Sequence, residues 1–302
     1  MTGDARPSTR MRLITAFLRH VNKPRVARAK NLAAMRGWLE RAVPMLAAMP
    51  TGATPREVEG ALWVGPSERG VAILYLHGGG FVMGAPETHR HLAAALALAA
   101  DAPALVLRYR RAPEHPHPAQ IDDALAAYRG LVARGLRVAA AGDSAGGGLA
   151  CALTLAARRE GLPDPACVAA FSPWCDMTLT SPTLRANMRS DAMLPAERFA
   201  EVVAMRMAGG DPRDPLASPV FARFDAPPPP LFITASRAEL LAGDAAAMAE
   251  VWRAAGGRVT MRWSADAPHA WPVFVGAAPE ADATVAEAGA FIASRLSGEN
   301  RP

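Results

Sequence analysis

The sequence predicts an α/β fold: a mostly parallel central sheet with helices on both faces and a helical cap. Two observations carry this. From residue 71 onward, short apolar runs alternate with stretches of helical periodicity, the pattern of strand–helix–strand units. Between Phe171 and Leu231 the alternation stops, leaving several prolines and a helix-like stretch but no strand. That gap is too long for a plain loop in a compact domain, so it reads as an insert.

Residues 8–49 space their apolar side chains as helices do, among them Leu13, Phe17, Leu32, Met35, Trp38, Leu39, Val43 and Leu46. Pro24 suits the first turn of a second helix there, where a missing N–H costs nothing. Val58–Val64 is expected as a first strand. Val71–Leu76 is apolar throughout, as a strand buried on both faces should be. A helix follows over Thr88–Ala100, a strand over Ala104–Tyr109 and a helix over Ala119–Ala133. Arg137–Ala141 is then strand, Ala145–Arg159 helix and Cys167–Phe171 strand. The insert carries a helix over Ala196–Met207. Pro227–Pro230 is a stiff lead into the strand Leu231–Ala235, followed by helix Gly243–Ala255, strand Arg258–Trp263 and a closing helix Val285–Leu296. The organisation expected is an N-terminal helical cap segment, residues 1–50, and one large domain, residues 51–302, with a cap insertion at about 176–212.

Composition narrows the chemistry. The chain has 302 residues, 51% hydrophobic and 20% charged, ordinary for a globular protein. Its net charge is +5, carried almost wholly by scattered arginines, so no nucleic-acid partner is expected. The mildly basic N-terminal segment Arg19, Lys23, Arg25, Arg28, Lys30, Arg36 could form a patch. Lys23 and Lys30 are the only lysines, which removes both a lysine-bearing phosphate loop and a Schiff-base lysine deep in the fold. Cys151, Cys167 and Cys175 are odd in number and have no C-x-x-C spacing, so packed, reduced thiols and a cytoplasmic location are expected. Leu13–Leu18 is too short an apolar run for a signal core or a membrane span, and no membrane anchor is expected.

Two glycine-framed motifs carry the chemistry: His77-Gly78-Gly79-Gly80 directly after a strand, and Gly142-Asp143-Ser144-Ala145-Gly146 between a strand and a helix. The second places Ser144 at a sharp strand-to-helix turn, the geometry of an exposed nucleophile. The first lets backbone N–H groups face a cavity. Gly78 and Gly79, with Ala145 at the start of the following helix, are the expected oxyanion donors.

Acyl transfer also needs a base and an acid that orients it. On such a sheet the order is Ser, acid, His, and of the seven histidines only His269 follows Ser144. The pairs His89-x-His91 and His115-x-His117 lack the accompanying ligands of a metal site, and none is expected. For the acid, the loop after Leu231–Ala235 offers Glu239 and, further on, Asp244, where helix capping is the plainer role. Glu239 is favoured; Asp244 stays open and Asp214 is a distant third. Apolar candidates for a substrate pocket are Met35, Trp38, Met177, Met193 and Met205, each of which could equally be core.

With these motifs in place, the chain resembles the bacterial hormone-sensitive-lipase-like carboxylesterases of the α/β-hydrolase fold. The match rests on Leu76–Gly84, Tyr109–Pro116, Gly142–Gly147, Ser172-Pro173-Trp174 and Asp214–Pro219. The resemblance implies hydrolysis of short- to medium-chain carboxylic esters by Ser144 and His269, with no cofactor. It also implies a cap built from the N-terminal helices and the insert. Its register places Glu239 where many relatives have Asp. A lactonase or deacetylase would use the same residues, and a silent ligand receptor on this fold would have lost one of them. The strand Arg258–Trp263, near a sheet edge, leaves a homodimer open.

Overall fold

The computed structural model describes residues 7–46 and 49–298. The side chains of residues 42–48, Val43 and Leu46 of the expected apolar face among them, lie outside the described residues.

The N-terminal layer is helical: α1 (Thr9–Phe17), a π-turn (Leu18–Asn22), α2 (Lys23–Ala27) and α3 (Leu32–Leu46). Ser8 caps α1, its Oγ accepting from Met11 N at 3.1 Å. Pro24 lies in the first turn of α2 as expected, although the π-turn runs on from α1 without a break. The expected strand Val58–Val64 is instead a hairpin, β1 (Arg56–Val58) and β2 (Ala61–Val64), turning at Gly60 with φ +70°. Gly60 permits that reversal, and a period-2 reading of the run passes over it.

Thereafter the elements follow the predicted order: β3 (Val71–Leu76), α4 (Pro86–Ala99), β4 (Ala104–Leu107), α5 (Ala119–Ala133), β5 (Arg137–Asp143), α6 (Ala145–Arg159) and β6 (Val168–Phe171). The insert holds α7 (Pro182–Ala186) and α8 (Phe199–Met207), the latter led by a 3-10 turn at Ala196–Arg198. β7 (Leu231–Ser236), α9 (Ala242–Ala254), β8 (Val259–Ser264) and α10 (Pro279–Leu296) complete the chain. The sheet order is β1-β2-β4-β3-β5-β6-β7-β8. β1 and β2 are antiparallel, and the strands from β4 to β8 are parallel. β8 is an edge strand.

Alternate residues of β3 serve opposite faces. Ala72, Leu74 and Leu76 pack with Ile121 of α5, Leu149 of α6 and Trp252 of α9, while Ile73 and Tyr75 pack with Leu92 and Leu96 of α4 and Ile292 of α10. Both faces are therefore covered, which is why β3 and its neighbours read as continuous apolar runs. The N-terminal layer and the insert are pinned together through main-chain carbonyls. Arg19 donates to Arg189 O and Ser190 O, Lys23 to Met188 O and Asp191 O, and Arg198 to Ala29 O.

The α4–α10 contact tests how tightly these layers close. A Cβ on Gly289 would lie 2.3 Å from Ala99 Cβ and 2.7 Å from Ala99 C. Gly289→Ala is expected to destabilise the fold by about 1–3 kcal/mol, since overpacking forces the helices apart. Urea unfolding measures this; a change below about 0.5 kcal/mol would show that the two helices yield freely.

Candidate active site

Every central residue of the site stands at the carboxyl end of a parallel strand or one loop beyond it. Ser144 follows β5 and has φ +52°, ψ −121°. It sits there because β5 must turn at once into α6, with Ser144 N donating to Phe171 O at 2.8 Å and Ser144 O accepting from Trp174 N at 2.9 Å. The turn closes only on glycine: a Cβ on Gly146 would come 1.9 Å from Leu76 O.

His269 lies in the loop after β8, is 2% exposed, and places Nδ1 2.7 Å from Glu239 Oε2. Glu239 is buried beyond β7, and its other oxygen, Oε1, accepts from Ser236 N at 3.0 Å. The carboxylate thus has a main-chain donor on one oxygen and the imidazole on the other. Nε2 of His269 is buried with no hydrogen-bond partner among the described residues, and His269 and Ser144 line the same cavity. Burial pushes the His269 pKa down, but the hydrogen bond and charge of Glu239 more than offset it, so the net shift is upward.

The other two acids are placed elsewhere. Asp244 is buried in the first turn of α9, where Oδ2 accepts from Cys175 N and Asp176 N at 3.0 and 2.9 Å. It fastens the turn after β6 rather than the imidazole, and burial pushes its pKa up to about 7. Asp214 accepts from Leu216 N and pairs with His117 Nε2 at 2.8 Å.

The glycine loop needs a correction by one residue. Gly78 N–H does not face the cavity; it donates to Asp143 Oδ1 at 3.1 Å. The cavity is lined instead by Gly79 and Gly80, whose N–H groups have no protein acceptor among the described residues. Spacing alone could not separate these neighbours, because the difference lies in where the Asp143 side chain reaches. Asp143 Oδ1 also accepts from Tyr75 Oη at 2.8 Å, and Oδ2 lies 3.3 Å from His89 Nε2. Burial raises the Asp143 pKa, but His89 and the donors around it outweigh that and hold it below the ordinary value. His77 is buried and pushed down to about 3, so it is a neutral imidazole, stacked on Tyr109 with ring centroids 4.1 Å apart.

The cavity, of about 180 Å³, is lined mainly by apolar side chains. Of the predicted lining residues, Met35, Trp38 and Met193 are there. Met177 and Met205 are not. Met177 is buried in the core with its N–H on Ser218 Oγ, and Met205 packs against the same core from α8. Methionine fills gaps in cores as readily as it lines pockets. Sequence reasoning missed Leu18, Val26, Trp174, Phe199 and Phe274 in the lining. It also missed Asp191, whose Oδ1 accepts from Met193 N and Leu194 N while Oδ2 accepts from Leu240 N at 2.8 Å. That carboxylate bolts the insert to the Glu239 loop. The Asp-x-Met-Leu stretch, read as a side-chain-capped turn, was its only sequence signal.

Residues 73–273 match the family described as alpha/beta hydrolase fold. An acetyl-hydrolase of Streptomyces hygroscopicus is 40% identical over 236 residues, covering 77% of this chain and 79% of the relative. The crystal structure of an esterase from the bacterial hormone-sensitive lipase family superposes with a TM-score of 0.89 at 34% identity, covering 97% of this chain and 100% of the other. The structure of EstE5 soaked with p-nitrophenyl butyrate also gives 0.89 at 34% identity, covering 96% and 99%. The chain belongs to the α/β-hydrolase family, in its bacterial hormone-sensitive-lipase-like branch. Members of this branch are carboxylic ester hydrolases, and this chain is one of them.

Two carboxylates can now be told apart by experiment. Glu239→Gln is expected to lower kcat by about 10²–10⁴-fold, because the imidazole loses its orienting charge. The His269 pKa then falls, burial being opposed only by the charges of Asp191 and Asp143, so the acid limb of the kcat/KM profile moves to lower pH. Asp244→Asn keeps an acceptor for both N–H groups and should retain activity within a few-fold. It changes stability instead. The folded pKa of Asp244, about 7, lies above its ordinary 3.8. Its protonated form therefore stabilises fully at low pH, and that contribution is lost as pH rises through the folded value. Wild type should lose stability relative to Asp244→Asn across that range, as denaturation at several pH values would show.

Proposed function

We propose that Ser144 is the nucleophile, His269 the general base and Glu239 the acid that orients it, in a serine carboxylesterase acting on small, apolar esters. The observation that carries this reading is the buried Glu239–His269 pair at 2.7 Å, with the far nitrogen of the imidazole unpartnered in the cavity that Ser144 lines. His77 Nε2 and His117 Nδ1 are also unpartnered among the described residues, but of the three histidines only His269 lines the cavity with Ser144.

Ser144 Oγ attacks the ester carbonyl as His269 Nε2 takes its proton. Glu239 accepts from Nδ1–H and stabilises the imidazolium that forms. The oxyanion is received by the N–H groups of Gly79, Gly80 and Ala145, the last at the amino end of α6, where the helix dipole favours negative charge. His269 then protonates the leaving alkoxide, and water repeats the sequence on the acyl-enzyme. The N-terminal helices and the insert act as the cap, since Met35 and Trp38 from one and Met193 and Phe199 from the other close over the cavity. Its small volume favours short acyl chains. The relative named acetyl-hydrolase supports acetyl esters as a starting point. The three buried, free cysteines support a cytoplasmic location, and the open edge of β8 is where a homodimer would pair.

Ser144→Ala should abolish hydrolysis of p-nitrophenyl acetate and butyrate to below about 10⁻³ of wild type. A fluorophosphonate probe should label wild type and leave the variant unlabelled. Full activity in Ser144→Ala would overturn the assignment, and an unlabelled wild type would favour the silent-receptor reading. In a chain-length series, kcat/KM should peak at short acyl groups and fall as the chain outgrows the cavity.

A further inference from the structure

The charge of this chain is not evenly spread. Between residues 7 and 41 the sequence holds nine Arg and Lys side chains against one acid, Glu40. That excess is larger than the +5 of the whole chain, so everything else nets negative. Among the described residues only Arg36 of this segment is in an ion pair, with Glu114. Arg10, Arg12, Arg25 and Arg28 are exposed.

Apolar side chains sit among these cations. Leu13 is 66% exposed and Val21 41%, two of the few large hydrophobics that face solvent anywhere in the described residues. Eight residues along an unbroken α-helix amount to about 80° of rotation, which would set Leu13 and Val21 on different sides. The π-turn at Leu18–Asn22 takes up roughly one extra residue and brings Val21 round toward the side of Leu13. Met188, 47% exposed, lies alongside on the insert, where its carbonyl accepts from Lys23 Nζ. The opposite side of the same helices lines the cavity through Leu18, Val26, Met35 and Trp38. One helical layer thus presents an apolar inner face to the active site and a cationic outer face studded with aliphatic side chains.

The geometry points to this outer face as a docking surface for an anionic lipid bilayer. The cations complement acidic headgroups, and Leu13 and Val21 have the depth to enter the headgroup–acyl boundary. A nucleic-acid partner fits less well, because the large exposed hydrophobic side chains of α1 and the π-turn are the aliphatic Leu13 and Val21, with His20 the one exposed ring there for stacking. Docking would hold the cap, and the cavity beneath it, against a phase in which apolar esters dissolve. Bilayer binding is separable from the catalytic assignment, since it involves none of the catalytic residues.

Sedimentation of the full-length protein with vesicles tests it. Binding is expected to phosphatidylcholine vesicles carrying about 30% phosphatidylserine and to be at least about tenfold weaker to pure phosphatidylcholine. It should weaken as NaCl rises from about 0.05 to 0.5 M. Arg12→Glu with Arg28→Glu should lower affinity at least tenfold, at roughly fivefold per cation. Leu13→Ser with Val21→Ser should also weaken it severalfold. Both variants should hydrolyse p-nitrophenyl acetate in solution at the wild-type rate, which shows that they are folded. Absence of binding to acidic vesicles, equal binding to neutral ones, or binding indifferent to both variants would overturn the proposal. So would tighter binding to poly(U) that ignores the Leu13 and Val21 changes, which would assign the face to nucleic acid.

Discussion

Asp143 precedes Ser144 and is almost wholly buried. Its carboxylate accepts from Tyr75 Oη on β3 and Gly78 N in the glycine loop, and lies beside His89 Nε2 on α4. A buried anion is tolerated only when its lone pairs are filled, and each of these groups fills one. The consequence is mechanical. The strand that presents Ser144, the loop that presents Gly79 and Gly80, and the helix behind them are tied to one carboxylate. Removing any one donor would leave charge uncompensated in the core, which costs more than a lost surface contact.

The same logic recurs at a second buried carboxylate. Asp191 bridges the insert to the Glu239 loop through three main-chain N–H groups. Asn187 Nδ2 adds donors to Glu239 O and Arg237 O. The loop carrying Glu239 is therefore held by the insert as well as by β7. Arg206, fully buried in α8, stacks its guanidinium 3.4 Å above the Phe81 ring and donates to Ala217 O. Phe81 follows Gly80 with φ +64°. A strained residue of that kind persists only where its surroundings over-determine it, and the cation above its ring is part of that surrounding. The insert is thus a structural member of the candidate site as well as part of the cavity wall.

Much of this was legible without coordinates. The parallel sheet, the helices between its strands and the interrupted alternation at Phe171 follow from hydrophobic period, which depends on neighbours along the chain. The hairpin at Gly60 was lost because one glycine inside a short apolar run looks like a gap in a strand. Glu239 and Asp244 could not be separated by position, since both lie near the end of β7; both are buried, and only their partners differ, His269 for Glu239 and the N–H groups of Cys175 and Asp176 for Asp244.

The sequence by itself determined the fold class and singled out Ser144 and His269 as the candidate nucleophile and base. A glycine-framed serine between strand and helix has one local solution, and chain order left a single histidine after it. Tertiary structure alone decided which glycine amides face the cavity, which carboxylate meets His269, and which methionines line the pocket. Those choices turn on where side chains from distant segments end up: Asp143 reaching Gly78, Asp244 reaching Cys175, and Met177 turning into the core. No periodicity along the chain encodes such meetings, because they are set by how the layers pack.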